Sequence, residues 1–115
     1  MQKSGEKNSV MLINPGWQQL DEPFEHLGLG YLAASLRHVG IETTIMDVPL
    51  TGATVATMAK QIHAGGIALV GVSITFQESA REALRGITQL KKETGVTIVV
   101  GGIYPTLAAQ EIMAL

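Results

Sequence analysis

The chain contains one glycine motif whose residue types and spacing could bind a phosphate group, Gly28-Leu29-Gly30-Tyr31-Leu32-Ala33. It fits the pattern G-x-G-x-x-A, in which backbone N–H groups at a helix start hold the pyrophosphate of a dinucleotide. That use requires the first glycine to come directly after a strand. Here the nearest upstream hydrophobic run, Val10 to Ile13, is separated from the motif by a loop from Asn14 to His26. We therefore expect the glycines to allow close packing of a helix on a sheet, and the loop to hold something large.

The other residues that could bind a ligand lie at the ends of four runs that are typical of strands. Ligands of open parallel α/β sheets bind just beyond the carboxyl ends of the strands. Amide, hydroxyl and carboxylate groups supply hydrogen bonds there, and glycines let a ligand approach the bare backbone. The candidates are Asn14, Pro15, Gly16 and Trp17 at the first run, Asp47 at the second, Ser73, Thr75, Phe76 and Gln77 at the third, and Gly101, Gly102 and Tyr104 at the fourth.

Four of these places also have an ordinary structural interpretation, which the sequence leaves open. Ser73 could hydrogen-bond a neighbouring backbone group, and Gly101-Gly102 could be only a turn that needs a positive φ. The segment Thr75-Phe76-Gln77-Glu78 fits a capping box, so Thr75 could serve as a helix cap. Trp17, the one tryptophan, could anchor the core instead of covering a ligand.

Hydrophobic periodicity predicts the strands and helices that would position these candidates. Apolar runs without alternation indicate strands that are buried on both faces, and the β-branched, alternating run 41–46 indicates a further strand. Apolar residues at i, i+3, i+4 and i+7 indicate amphipathic helices. The predicted strands are 10–13, 41–46, 67–74 and 96–100, and the predicted helices are 27–40, 55–65, one from the capping box at 75–78 to residue 95, and 106–115.

This alternation predicts an α/β fold with a doubly wound parallel sheet, flavodoxin-like or Rossmann-like, in the strand order 2-1-3-4. A fifth strand and helix would normally complete such a sheet. We expect them to be missing from this chain, which would leave an exposed edge on the fourth strand. We expect residues 1–9 to form a flexible tail and residues 10–115 to form one truncated domain.

Composition excludes several classes of partner. The 115 residues carry a net charge of −2, so we expect neither nucleic acid nor an anionic membrane as a partner. No apolar run approaches the length of a membrane span, and the polar start lacks the core of a signal peptide, which favours the cytoplasm. The sequence has no cysteine, so it holds no disulfide and no thiolate-bound metal or iron–sulfur cluster.

The strand ends also lack the groups that several common functions need. A phosphoacceptor receiver requires acidic residues after the first and third strands, where this chain has Asn14-Pro15 and Ser73 to Thr75. A flavodoxin requires a hydroxyl-rich phosphate loop directly after the first strand, and Asn14-Pro15-Gly16-Trp17 does not supply one. Neither a Walker loop nor a G-x-S-x-G nucleophile elbow occurs in the chain.

A set of short blocks occurs in a fixed order along the chain: Asn14-Pro15, 27–42, Asp47, 70–75 and 99–106. Together they resemble the amino-terminal cobalamin-binding domain of B12-dependent radical SAM enzymes. This family includes methyltransferases and the anaerobic oxidative cyclase of magnesium-protoporphyrin monomethyl ester. The resemblance covers residues 10–115, which is nearly the whole chain.

The resemblance implies that the chain binds cobalamin at the candidate residues. It implies that the corrin lies over the carboxyl ends of the strands and that the nucleotide tail enters a slot beside the sheet. Ser73 and Thr75 would hydrogen-bond this tail, and Gly101-Gly102 would let it pass close to the backbone. Tyr104 stands where the family often has histidine, and its hydroxyl can still donate one hydrogen bond.

The resemblance further implies that no histidine coordinates the cobalt. The other class of cobalamin protein uses the histidine of a D-x-H-x-x-G motif after the first strand, where this chain has Asn14-Pro15-Gly16. The lower face of the corrin would instead meet the loop of Phe76 and Gln77, or Trp17 from the long loop.

The absence of cysteine limits what this chain does in such an enzyme. Radical SAM chemistry needs a C-x-x-x-C-x-x-C site for its [4Fe-4S] cluster, so this chain is not an enzyme by itself. A downstream radical SAM domain, with the cluster and S-adenosylmethionine, would be its partner in the intact polypeptide. Two alternatives stay open: a nucleotide or dinucleotide binder that uses Gly28, Gly30 and Asp47, and an interaction scaffold without a ligand.

Overall fold

The fold was obtained as a computed structural model, which describes residues 9–15, 27–74 and 80–101. Residues 1–8 of the predicted tail, residues 16–26 of the long loop, the capping box and the helix predicted from residue 106 lie outside these residues. Ser9, the last residue of the predicted tail, is buried and begins the first strand. Among the described residues, no helix is both long and apolar enough to cross a membrane. The elements are β1 (Ser9–Asn14), α1 (Leu27–His38), β2 (Glu42–Asp47), α2 (Val48–Thr51), α3 (Val55–Gly65), β3 (Leu69–Ser73), α4 (Ala80–Thr94) and β4 (Thr97–Gly101).

The four described strands form one parallel sheet in the order β2-β1-β3-β4. β1 therefore lies between β2 and β3, and the order changes direction between β1 and β3. Helices follow the strands and return the chain to the amino edge of the sheet, as parallel strands require. The predicted α/β class and the strand order 2-1-3-4 are confirmed.

Side chains that alternate along the central strands divide the core into two layers. Met11 and Ile13 of β1 belong to the larger layer, in which α3 and α4 cover one face of the sheet. Leu12 points to the other face and packs against Leu29 and Ala33 of α1. Helices therefore cover both faces of the sheet, which is the doubly wound arrangement that the sequence predicts.

The termini of α3 show how local chemistry sets the helix bounds. The Thr54 hydroxyl accepts a hydrogen bond from the backbone N–H of Thr57 at 3.2 Å and caps the amino end. Gly66 ends the helix in the left-handed region at φ +61°, where its N–H bonds to the carbonyls of the last turn. Such a conformation suits glycine because it has no Cβ.

A short helix between β2 and α3 was not expected from the sequence. Residues Val48–Thr51 form α2, with Pro49 in its first turn and Gly52 in the left-handed region at its end. Proline is well suited to a first helical turn, since its missing N–H would have no helical partner there. β2 itself ends at Asp47, close to the end of the predicted strand 41–46, and α2 is an additional element.

The glycines of the G-x-G motif do not bring α1 close to the sheet. Gly28 and Gly30 are exposed, and a Cβ atom at Gly30 would meet no atom within 4 Å. The helix contacts the sheet through Leu29 and Ala33 instead. The expected packing role of the two glycines is therefore wrong. Close approach occurs at Gly71 of β3, where a Cβ atom would lie 3.0 Å from the Leu12 side chain.

Candidate functional site

Four of the predicted site residues form one row across the carboxyl edge of the sheet. Asp47 of β2 is the register partner of Asn14 of β1, and Ser73 of β3 is the register partner of Gly101 of β4. β1 and β3 are paired up to the residues just before Asn14 and Ser73, so these two lie side by side. We call Asp47, Asn14, Ser73 and Gly101, in this spatial order, the carboxyl row.

The whole row belongs to the face of the sheet that α1 covers. Leu12 packs on α1, and side chains two residues apart on a strand point to the same face, so Asn14 points to that face too. Register partners in adjacent strands share a face, which extends this direction across the row. The sheet therefore gathers an amide, a carboxylate and a hydroxyl on one side of its carboxyl edge.

The Asn14 and Asp47 side chains are in direct contact. Asn14 Nδ2 donates a hydrogen bond to Asp47 Oδ1 at 3.3 Å, and both residues are half-buried. A carboxylate can only accept hydrogen bonds, so the contact determines which end of the Asn14 amide faces Asp47. Asp47 is also the N-cap residue of α2, yet its side chain makes no capping hydrogen bond. Its carboxylate is thus directed to Asn14 rather than to the helix.

At the other end of the carboxyl row, Ser73 and Gly101 have smaller side chains than Asn14 and Asp47. Ser73 is half-buried, and Gly101 is exposed. The Ile74 N–H donates to the Gly101 carbonyl at 2.8 Å, which joins the ends of β3 and β4. Gly101 does not have a positive φ, and a Cβ atom there would meet nothing within 4 Å. A turn is therefore not the reason for a glycine at position 101, and the space beside it is open.

An open strip of the sheet continues from the row toward the amino edge. On the α1 side of β4, Thr97, Val99 and Gly101 are exposed, with Val99 at 52%. On the same side of β3, the residues are half-buried. The sequence predicts that this strand is buried on both faces, and for this face the prediction is wrong. We define the open strip as Gly71 and Ser73 of β3 together with Val99 and Gly101 of β4, so that it ends before Leu69 and Thr97 at the amino edge.

Helix α1 forms one side of this strip. The helix packs on β1 and β2, and Arg37 Nη2 donates to the Thr43 carbonyl of β2 at 2.8 Å, which anchors that flank. Leu32 lies on the opposite flank of the helix and is 54% exposed. The strip is therefore a shallow, mainly apolar trough whose polar end is the carboxyl row.

The sequence matches the family model of the B12 binding domain over residues 19–115. The chain belongs to this family. The resemblance and the cobalamin cofactor class that the sequence predicts are confirmed at the level of the family. No curated protein matches the sequence.

Solved structures similar to this B12-binding domain are parts of much larger chains. A radical S-adenosylmethionine methyltransferase, TsrM from Kitasatospora setae, with cobalamin and a [4Fe-4S] cluster bound, matches with a TM-score of 0.77 and 22% identity. The match covers 95% of this chain and 22% of TsrM. The cobalamin-dependent S-adenosylmethionine radical enzyme OxsB, with aqua-cobalamin and S-adenosylmethionine bound, matches with a TM-score of 0.70 and 19% identity, covering 95% and 16%. These likenesses show the fold.

The described histidines of the B12-binding domain lie far from the carboxyl row. His38 is the last residue of α1, and His63 lies in the last turn of α3. Helices that connect parallel strands run back to the amino edge, so both imidazoles are at the end of the sheet opposite the row. In residues 9–15, 27–74 and 80–101, no group of three histidine, cysteine, aspartate or glutamate side chains could hold a metal ion.

The remaining predicted site residues fall into two groups. Pro15 is buried and lines an apolar cavity of about 220 Å³ on the opposite face of the sheet, between α3 and α4. That cavity is separate from the carboxyl row. The other candidates lie outside the described residues: Gly16, Trp17, Thr75, Phe76, Gln77, Gly102 and Tyr104.

Two residues of the open strip, Gly71 and Val99, were not singled out from the sequence. The segment Thr97–Gly101 places threonine, valine and glycine at alternate positions, and all three prove exposed. Period-two alternation of this kind separates the two faces of a strand. The sequence contains this signal, but it does not say which face α1 leaves open.

Proposed function

We propose that this B12-binding domain holds cobalamin with the corrin over the carboxyl row and the nucleotide tail along the open strip. One observation carries the proposal: the row and the strip lie on the same face of the sheet and form one continuous surface. A polar edge that leads into an apolar trough suits a ligand with a polar, amide-rich ring and a flat, apolar tail.

The polar groups of the row suit the rim of a corrin. That rim carries primary carboxamides, which both donate and accept hydrogen bonds. Asn14 offers the same two functions, Asp47 offers carboxylate acceptors and Ser73 offers a hydroxyl. Since these groups come from three neighbouring strands, the rigid sheet sets their spacing.

The open strip suits the dimethylbenzimidazole of the nucleotide tail. Gly101 presents backbone without a side chain beside open space, and Val99 supplies an apolar surface next to it. Bare backbone lets a flat ring approach closely and bury its apolar area. Leu32 on the free flank of α1 would cover one side of the ring.

Within this proposal, no histidine of the chain coordinates cobalt. The positions of His38 and His63 at the amino edge support this point for the described residues. The lower face of the corrin would meet Phe76 and Gln77, or Trp17. The domain would then hold the cofactor without donating a metal ligand and without a catalytic residue of its own.

The intact protein is proposed to be a radical SAM enzyme, either a methyltransferase or an oxidative cyclase. Support comes from the two similar structures, of which this fold occupies 22% and 16%. The partner would be a radical SAM domain with a [4Fe-4S] cluster and S-adenosylmethionine, neither of which this cysteine-free chain would bind. The carboxyl edge of the sheet in this chain, where the carboxyl row lies, would face the radical SAM domain.

A dinucleotide-binding function lacks this support. β1 ends at Asn14 and α1 begins only at Leu27, so the G-x-G turn does not follow the strand directly. The Asp47 carboxylate, which would bind a ribose in that function, contacts the Asn14 amide instead. We therefore keep NAD as a control ligand.

Equilibrium dialysis of the 115-residue chain against hydroxocobalamin tests the proposal. We expect saturable binding of one corrinoid per chain and a shift of its visible absorption bands, with no change of melting temperature on addition of NAD. A chain that is folded by circular dichroism and retains no hydroxocobalamin would contradict the proposal. It would leave the interaction scaffold as the remaining interpretation.

A further inference from the structure

The Asp47 side chain contacts Asn14 and makes no local capping bond. Aspartate at an N-cap position normally accepts a hydrogen bond from a backbone N–H in the first helical turn. Asp47 occupies the N-cap position of α2 but makes no such bond. Its Oδ1 accepts the Nδ2 of Asn14 across the sheet at 3.3 Å. The side chain therefore forgoes a local stabilising bond in favour of the neighbouring strand.

This contact leaves a defined set of hydrogen-bonding groups at the carboxyl edge. Within the described residues, it is the one hydrogen bond that either side chain makes. Because Nδ2 faces Asp47, the Oδ1 of Asn14 lies on the other side of the planar amide. Asn14 thus keeps one acceptor oxygen and a second N–H, and Asp47 keeps its second carboxylate oxygen. These groups match a primary carboxamide, which offers one carbonyl and two N–H bonds.

The negative charge of Asp47 favours a carboxamide over a carboxylate on the ligand. A carboxylate beside Asp47 would find a like charge at hydrogen-bonding distance, whereas a carboxamide can donate to it. Arg37, the basic residue that contacts β2, donates to Thr43 near the amino end of that strand. Its guanidinium is therefore directed away from the carboxyl row.

We infer that Asp47 is a specificity-determining residue, which orients the Asn14 amide and selects a ligand with a carboxamide over one with a carboxylate at the same position. The inference rests on the proposed function, because the carboxamides in question are those on the rim of cobalamin. Asp47 acts partly through Asn14, so it is a positioning residue and not a catalytic one.

The test compares hydroxocobalamin with its three monocarboxylic acid derivatives, in each of which one peripheral propionamide is hydrolysed. Binding to the full 115-residue chain is measured by equilibrium dialysis at neutral pH. We expect at least one derivative to bind about tenfold more weakly than hydroxocobalamin, since roughly 1.4 kcal/mol of like-charge repulsion corresponds to that factor. In Asp47→Asn, this preference should fall to about twofold or less, because the variant keeps the shape and removes the charge.

Two further variants separate specificity from folding. Asp47→Ser also removes the charge, and serine is a good N-cap residue for α2, so this variant should lose the preference in the same way. Glu42→Gln removes one negative charge from the opposite end of the same strand and should keep the preference of the unaltered chain. Thermal unfolding of each variant shows whether it is folded.

The outcomes distinguish this inference from the proposed function. If all three acid derivatives bind as tightly as hydroxocobalamin, or if both Asp47 variants keep the preference, the inference is wrong while cobalamin binding stands. If the folded chain binds no corrinoid at all, the proposed function fails and the inference fails with it.

Discussion

Replacement of Gly101 by leucine should separate cobalamin binding from stability. Gly101 is exposed in β4, has no positive φ, and leaves open space where a Cβ atom would lie. The fold therefore has room for a larger side chain. Removing a glycine from a strand should raise the free energy of unfolding by about 0.5–1 kcal/mol through the entropy of the unfolded chain. Urea denaturation, monitored by circular dichroism, measures this change.

The same leucine would occupy the polar end of the open strip. A leucine side chain would displace roughly 100 Å² of apolar ligand surface, which at about 25 cal/mol per Å² is a loss of about 2.5 kcal/mol. This corresponds to a decrease in affinity of about 70-fold. Equilibrium dialysis with hydroxocobalamin measures it.

Thr97→Leu is the matched control for this prediction. Thr97 lies on the same strand and the same face as Gly101 and is also exposed, but it is at the amino edge, outside the open strip. This variant should bind hydroxocobalamin within about threefold of the unaltered chain, a difference of roughly 0.7 kcal/mol. If Gly101→Leu binds hydroxocobalamin as tightly as Thr97→Leu does, the nucleotide tail does not lie on the open strip.

Three further predictions concern the helices and the histidines. Gly86 lies inside α4 and lines the cavity, and a Cβ atom there would meet no atom within 4 Å, so Gly86→Ala should stabilise the chain by about 1 kcal/mol in urea denaturation. A loss of stability would show that the site has no room. Thr54→Ala removes the cap of α3 and should destabilise by about 1 kcal/mol, whereas Thr54→Ser should restore most of it. Equal stability of the two variants would argue against the cap. Separate replacement of His26, His38 and His63 by alanine should leave the absorption spectrum of bound hydroxocobalamin unchanged, and a shift in any variant would indicate a histidine ligand.

The fold could be predicted from sequence because its main signals are local. Val70 and Val72 belong to the apolar run 67–74, which has the length of a strand and is too short for a typical buried helix. Both residues are buried in β3. Gly66 comes where the helical spacing of α3 ends, and it adopts the left-handed cap. The α2 helix was missed because Pro49 in a four-residue helix gives no periodic pattern to detect.

The candidate site could be predicted only in part. Asn14, Asp47, Ser73 and Gly101 were found because every parallel strand ends at the same edge of the sheet. Their alignment in one row depends on strand register, which a single sequence does not specify. The exposed Gly30 shows the converse, since a glycine interpreted as packing against the sheet points away from it.

Chemical-shift mapping by NMR shows whether cobalamin lies over the carboxyl row and along the open strip. Hydroxocobalamin contains diamagnetic Co(III), so the amide signals of a labelled 115-residue chain can be followed as it is added. We expect saturable shifts concentrated in the carboxyl row and the open strip, at Asn14, Ser73, Val99 and Gly101. Shifts confined to the cavity on the opposite face, or no shifts for a folded chain, would contradict it.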